Sequence, residues 1–146
     1  MYKCKYFKIQ ELVSKIVYDR FKDFAWSFFD ENVLKDLDTI RDYHKMPITI
    51  NNWHLGGSFS QCGFRSNLEP MVKGKTTLYC SAHCMAKAFD LHSANIRKLY
   101  CDIEYLYNNG KLKAIKRIES PRSTKYGWCH VDSFQTNSNK LEYFTV

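Results

Sequence analysis

Apolar residues recur at helical spacing in three stretches of this 146-residue chain. The first stretch, 9–21, has them every three or four positions, and a period near 3.6 is typical of a helix with one buried face. The second follows Asp30, a suitable N-cap, and stops before Pro47. The third follows Ser93, another suitable cap, and ends at Gly110. The pattern therefore predicts three helices.

Alternation of apolar and polar residues predicts the strands. "PITIN" at 47–51 indicates a short strand, and "KAFDLH" at 87–92 alternates so that Ala88, Asp90 and His92 share one face. Further strand-like runs lie at 112–119, 127–134 and 140–146. The order of elements predicts an α+β fold, a single domain over 1–146 with a mostly antiparallel sheet.

The stretch from 53 to 79 has little periodicity and contains four of the six glycines. An irregular segment of this length inside a compact domain tends to be functional. We therefore expect residues of the site to come from this loop.

Composition narrows the classes of function. Hydrophobic residues make up 45% of the chain, which fits a globular protein, and the net charge of +7 attracts polyanions such as nucleic acid, acidic lipid or anionic cell-wall polymer. No apolar run reaches the roughly 18 residues of a membrane span. The first 20 residues lack the features of a secretory signal. We therefore expect synthesis in the cytoplasm, no membrane span, and six reduced cysteines without a disulfide framework.

Two short motifs contain candidate metal ligands. "SAHCMAKAFDLH" at 81–92 carries His83 and Asp90, and "GWCHVD" at 127–132 adds His130. A catalytic zinc takes three protein ligands, which is the number that the two motifs supply together. On a strand, His130 and Asp132 share a face while Cys129 points the other way, which disfavours the thiol as a ligand. Taken singly, each motif is more typical of residues without a metal, with His83 a loop histidine, Asp90 a strand-edge carboxylate and His130 a core histidine.

The motifs also resemble those of a known family. "SAHCMAKAFD" resembles the S-x-H-x-x-G-x-A-x-D signature, and "GWCHVD" the later W-x-H element, of zinc D-Ala-D-Ala carboxypeptidases and L-alanyl-D-glutamate endopeptidases. "GFRSN" at 63–67 resembles their arginine element. These enzymes cleave peptidoglycan stem peptides and share their fold with the amino-terminal domain of hedgehog proteins. The resemblance covers about 7–135 and is greatest to compact phage-encoded members, which implies a hedgehog-like fold.

The resemblance implies a role for four residues. His83, Asp90 and His130 would bind Zn²⁺, and Arg65 would hold a carboxylate or carbonyl group of the substrate. Two imidazoles and one carboxylate leave the metal a net positive charge, which acidifies a water and polarises a peptide carbonyl. The planar fork of an arginine suits a carboxylate better than a lysine does.

The chain departs from the family pattern at two positions. Ala86 stands where the signature has glycine, and Gly127 stands where many members have an acidic general base. We expect Asp132 to be the catalytic base, and the alternative is that it orients a ligand histidine. His92 is a weaker candidate for contact with ligands or substrate, and Glu119 is a fallback base.

The leading interpretation is a zinc-dependent peptidase that cleaves peptidoglycan stem peptides. It would be a phage endolysin or virion-associated lytic enzyme, monomeric, acting at the bacterial cell wall after release or virion delivery, without a nucleic-acid partner. One alternative is an inactive, zinc-stabilised binding module of the same fold. Another is a small basic nucleic-acid-binding protein with structural zinc, although Cys80 and Cys84 lack a second pair at finger-like spacing.

Overall fold

Helices and one four-stranded sheet make up the computed structural model, which describes residues 1–146. The helices are α1 Ile9–Leu12, α2 Lys15–Phe21, α3 Glu31–His44, α4 Pro70–Lys73, α5 Ile96–Asn108 and α6 Pro121–Thr124. The strands are β1 Ala88–Leu91, β2 Arg117–Glu119, β3 Cys129–Asp132 and β4 Glu142–Phe144. Short 3-10 turns cover Lys22–Phe28, Trp53–Leu55 and Ala82–Met85. No helix has the length and hydropathy that a membrane crossing requires. The predicted α+β class is confirmed.

The second and third predicted helices are α3 and α5. Asp30 caps α3 by accepting a hydrogen bond of 2.7 Å from the backbone N–H two residues later, and α3 ends at His44. Asn95, not Ser93, caps α5, since its side chain accepts from the backbone N–H three residues later at 3.0 Å. The Ser93 hydroxyl instead bonds to His44 at 2.7 Å. Gly110, with φ of 65°, follows the end of α5 as predicted.

The first predicted helix is wrong as a single element, because the chain breaks between α1 and α2. Val13 has extended backbone, with φ −127° and ψ 157°, and pairs with Phe64 in a parallel bridge. The Phe64 N–H donates to the Leu12 carbonyl at 2.8 Å. A Cβ on Gly63 would lie 2.1 Å from that carbonyl oxygen, so the approach requires glycine. The break thus anchors the segment that carries Arg65.

The sheet has the strand order β1-β3-β2-β4. The β1/β3 and β3/β2 pairs are antiparallel as predicted, whereas the β2/β4 pair is parallel. Asp132 at the end of β3 and Glu142 at the start of β4 both lie opposite Arg117, so the loop between them returns the chain to the start of β2. The predicted strand at 47–51 is reduced to one bridge, between Thr49 and His92.

The two faces of the sheet differ in chemistry. One face is apolar and fully buried, and α5 packs against it at β3; its residues are Phe89, Leu91, Ile118, Cys129 and Val131. Because side chains alternate along a strand, the residues between them share the opposite face. That second face is polar and carries Asp90, Arg117, Glu119, His130 and Asp132.

Candidate metal centre

Local structure positions the three predicted metal ligands. Asp90 and His130 lie directly opposite each other in the antiparallel β1/β3 pair. His83 lies on the 3-10 turn that precedes β1, where the Ser81 hydroxyl accepts from its backbone N–H at 3.3 Å. The turn ends at Ala86, whose φ of 55° is the left-handed conformation that glycine adopts without strain. The departure from the family's glycine therefore leaves the turn intact.

The three donor atoms converge. His83 Nε2 lies 3.2 Å from His130 Nδ1 and 3.4 Å from Asp90 Oδ1, and His130 Nδ1 lies 2.8 Å from the same carboxylate oxygen. A tetrahedral zinc with bonds of about 2.0 Å separates its ligands by roughly 3.3 Å. His83 and His130 are buried, and the Asp90 side chain is only 13% exposed. Residue type, spacing and burial therefore fit a zinc ion.

The outer nitrogen of each imidazole has a partner of its own. His83 Nδ1 donates to the Gly63 carbonyl at 2.9 Å, so Nε2 presents a lone pair to the centre. His130 lies between two carboxylates, with Nε2 3.2 Å from Asp132 Oδ2 and Nδ1 2.8 Å from Asp90 Oδ1. A metal that displaces the proton on Nδ1 would find two imidazole nitrogens and the Asp90 oxygen pointing at one place.

The charges around the centre agree with this geometry. Burial by itself would raise the pKa of Asp90, but the imidazoles of His130 and His83 beside it hold that pKa well below its usual range. Burial by itself would lower the pKa of His130, but the carboxylates of Asp132 and Asp90 raise it to about 9. In the metal-free protein at neutral pH, His130 therefore carries a second proton and a positive charge. A metal that binds at neutral pH displaces this proton.

Both carboxylate oxygens of Asp132 are engaged by neighbouring groups. Besides accepting from His130, it forms a two-pronged ion pair with Arg117, at 2.9 and 2.8 Å, and accepts from the Phe134 N–H at 3.0 Å. Its side chain is fully buried. Burial by itself would raise the pKa of Asp132, but His130 and Arg117 lower it. These contacts favour the alternative role, orientation of His130, over that of catalytic base.

Arg65 lies beside the ligands and not among them. Its Nη2 donates to Asp90 Oδ2 at 3.1 Å, and its Nε donates to the Gln61 carbonyl. The backbone N–H of Arg65 donates to the His83 carbonyl at 3.2 Å. Arg65 thus holds the outer oxygen of Asp90, while its Nη1 has no partner in the protein and is available to a bound molecule.

The centre lies in a cleft of about 420 Å³. The ligands and Arg65 form its polar part, together with Arg117, Glu119 and Asp132. Its apolar part contains Met71, Tyr79, Trp128, Phe134 and Phe144. Arg65, Met71 and Tyr79 all belong to the stretch 53–79, in which the structure places only the short 3-10 turn at its start and α4. This stretch therefore supplies residues to the cleft, as expected.

The other sequence candidates have different surroundings. His92 stacks on Phe59 at 4.0 Å and its Nε2 lies 3.6 Å from Cys62 Sγ, outside the residues that line the cleft. Cys129 lies on the apolar face, and neither it nor Cys84 belongs to the metal-ligating group. Sequence reasoning missed Arg117, although "RIE" alternates in a way that places it on the same face as Glu119.

Comparison with protein-family models, with curated proteins and with solved structures gave no match to this chain. The likeness to zinc D-Ala-D-Ala carboxypeptidases and the hedgehog-like fold therefore stay predictions. The chemistry of the cleft is the basis for assigning a function.

Proposed function

We propose that the protein is a zinc-dependent peptidase that cleaves peptidoglycan stem peptides. The single observation that carries the proposal is the convergence of His83 Nε2, His130 Nδ1 and Asp90 Oδ1 inside an open cleft. Three protein ligands leave one tetrahedral position free, which is the arrangement of catalytic and not of structural zinc. A zinc ion bound there acidifies a water and polarises a carbonyl.

Residues of the cleft support the recognition of a peptide. The free Nη1 of Arg65 suits a substrate carboxylate or carbonyl, and its bond to Asp90 places it close to the reacting atoms. Tyr79 and Trp128, each 37% exposed, offer apolar surface at the cleft to a peptide side chain. This mixture of apolar walls and a few directed polar groups is typical of a substrate pocket.

The family resemblance adds the substrate class. The three motifs occur in the family's order, and stem peptides carry the free carboxylates that Arg65 suits. The net charge of +7 favours association with anionic wall polymers. We place the enzyme among phage endolysins or virion-associated lytic enzymes, which act at the bacterial wall after release or virion delivery.

Digestion of purified peptidoglycan tests the proposal. The zinc-loaded protein should release fragments whose new termini, identified by mass spectrometry, lie within the stem peptide. Chelated protein and the His83→Ala variant should release none. If the wild type binds zinc stoichiometrically and releases no fragments from peptidoglycan or from isolated stem peptides, the proposal is wrong and the zinc-stabilised binding module takes its place.

A further inference from the structure

Glu119 carries the one carboxylate of the cleft that has no partner in the protein. The residue is only 7% exposed and lines the same cleft as the metal ligands. Its backbone carbonyl accepts from the Tyr100 hydroxyl at 3.0 Å, which holds the end of β2 in place. The side-chain oxygens accept no hydrogen bond and form no ion pair. The oxygens are not sealed from solvent, so the carboxylate is open to a molecule bound in the cleft.

The strand register places this carboxylate next to the metal centre. Arg117 lies opposite Asp132 and Ile118 opposite Val131 in the antiparallel β2/β3 pair. Glu119 and His130 each come next to the last of these pairs on the two strands, and both line the cleft. Glu119 also lies two residues from Arg117 and therefore on the polar face of the sheet.

The two acids on this face of β2 and β3 differ in availability. Asp132 directs its oxygens at His130, Arg117 and the Phe134 backbone, and its side chain has no solvent exposure. Taking up a proton would break the ion pair with Arg117. Glu119 has no such bonds to lose, so it can accept a proton and release it again.

We propose that Glu119 is the general base of the reaction, an inference that rests on the proposed peptidase function. As the oxygen of a water forms a bond to the carbonyl carbon of the scissile amide, one of its protons passes to the Glu119 carboxylate. When the C–N bond breaks, Glu119 returns this proton to the departing nitrogen. The carboxylate is regenerated, and the water's oxygen and both hydrogens end up in the two products.

Substitution of Glu119 by glutamine tests the inference, because it keeps the shape and removes the base. Glu119→Gln should cleave stem peptides about a hundred- to ten-thousand-fold more slowly than the wild type. Its zinc content and unfolding temperature should equal those of the wild type, since the carboxylate has no bonds to lose. Glu142→Gln is the matched control: it makes the same change on neighbouring β4, outside the cleft, and should keep full activity.

The possible outcomes separate the two proposals. An active wild type with an equally active Glu119→Gln variant would overturn the role of Glu119 and leave the peptidase function standing. Loss of zinc or a fall of several degrees in unfolding temperature in Glu119→Gln would also overturn it, because the residue would then be structural. A wild type that binds zinc but cleaves no stem peptide would refute the peptidase function, and the base with it.

Discussion

Two clusters of histidine and aspartate occur in this fold, and their nitrogen atoms have different surroundings. In the first, His44 Nδ1 lies 2.7 Å from Asp102, and His44 Nε2 lies 2.7 Å from the Ser93 hydroxyl. The Lys98 ammonium also contacts Asp102. His44 is completely buried, so both of its nitrogens are used to join α3 to α5 and to the connection before α5. The residues form a linear chain in which both nitrogens of the histidine have a partner.

The second cluster is the candidate metal centre, where the partners of the imidazoles lie on the outside. Gly63 and Asp132 lie against the outer nitrogens of His83 and His130, and both inner nitrogens face the same oxygen of Asp90. The residue types are nearly the same in the two clusters. The comparison shows that the convergence of donor atoms on one point, and not the presence of His and Asp, sets the candidate ligand site apart from the structural link.

Removing one metal ligand gives the largest expected difference between the clusters. The wild type should bind about one zinc per chain, and His83→Ala should bind almost none, because two protein ligands do not hold zinc firmly. His44→Ala should keep the wild-type zinc content at temperatures where it is folded. Elemental analysis after gel filtration measures both variants. Full occupancy in His83→Ala would remove this residue from the site.

Removing the structural histidine should instead affect stability. His44→Ala leaves a cavity and the buried Asp102 with one partner fewer, so we expect a loss of about 2–4 kcal/mol. For a chain of this size that lowers the unfolding temperature by roughly 5–15 °C. His83→Ala should unfold close to the temperature of the metal-free wild type. Thermal unfolding followed by circular dichroism measures the three proteins; equal stability of His44→Ala and wild type would contradict the structural role.

Weakening the contacts of Asp132, which lies behind His130, should have a smaller effect on zinc binding than removing a ligand. Asp132→Asn weakens the contact with His130 Nε2 and the ion pair with Arg117, so zinc affinity should fall about 10–100-fold. Competition with a chromophoric chelator measures the affinity. Cleavage by the variant at saturating zinc should then recover most of its rate. Unchanged affinity combined with lost activity would restore Asp132 as the catalytic base.

The smallest expected effect is at the turn that carries His83. Glycine at position 86 relieves the left-handed backbone but removes a buried methyl group and adds freedom to the unfolded chain. These terms nearly cancel, so Ala86→Gly should change the free energy of unfolding by less than about 1 kcal/mol and leave zinc binding intact. Denaturant titration measures the change. A loss above about 2 kcal/mol would show that the methyl group has a packing role.

The sequence could predict features that depend on local spacing, but not those that depend on contacts between distant segments. Alternation along "KAFDLH" and "GWCHVD" was sufficient to place Asp90 and His130 on one face, because the period of a strand is a local property. The availability of Glu119 depends on the register between β2 and β3, which residue spacing does not reveal. The break at Val13 likewise depends on its pairing with Phe64, far along the chain. The Gly63 carbonyl that orients His83 belongs to the backbone and has no side-chain signal.

X-ray absorption at the zinc edge tests the central claim most directly. With His83, Asp90 and His130 as ligands, the spectrum of the loaded protein should contain only nitrogen and oxygen neighbours, at about 2.0–2.2 Å. It should also contain the outer-shell scattering of two imidazole rings. Replacing Cys84 and Cys129 by alanine should leave the spectrum unchanged, since neither belongs to the ligand group. A sulfur neighbour at about 2.3 Å would contradict the account.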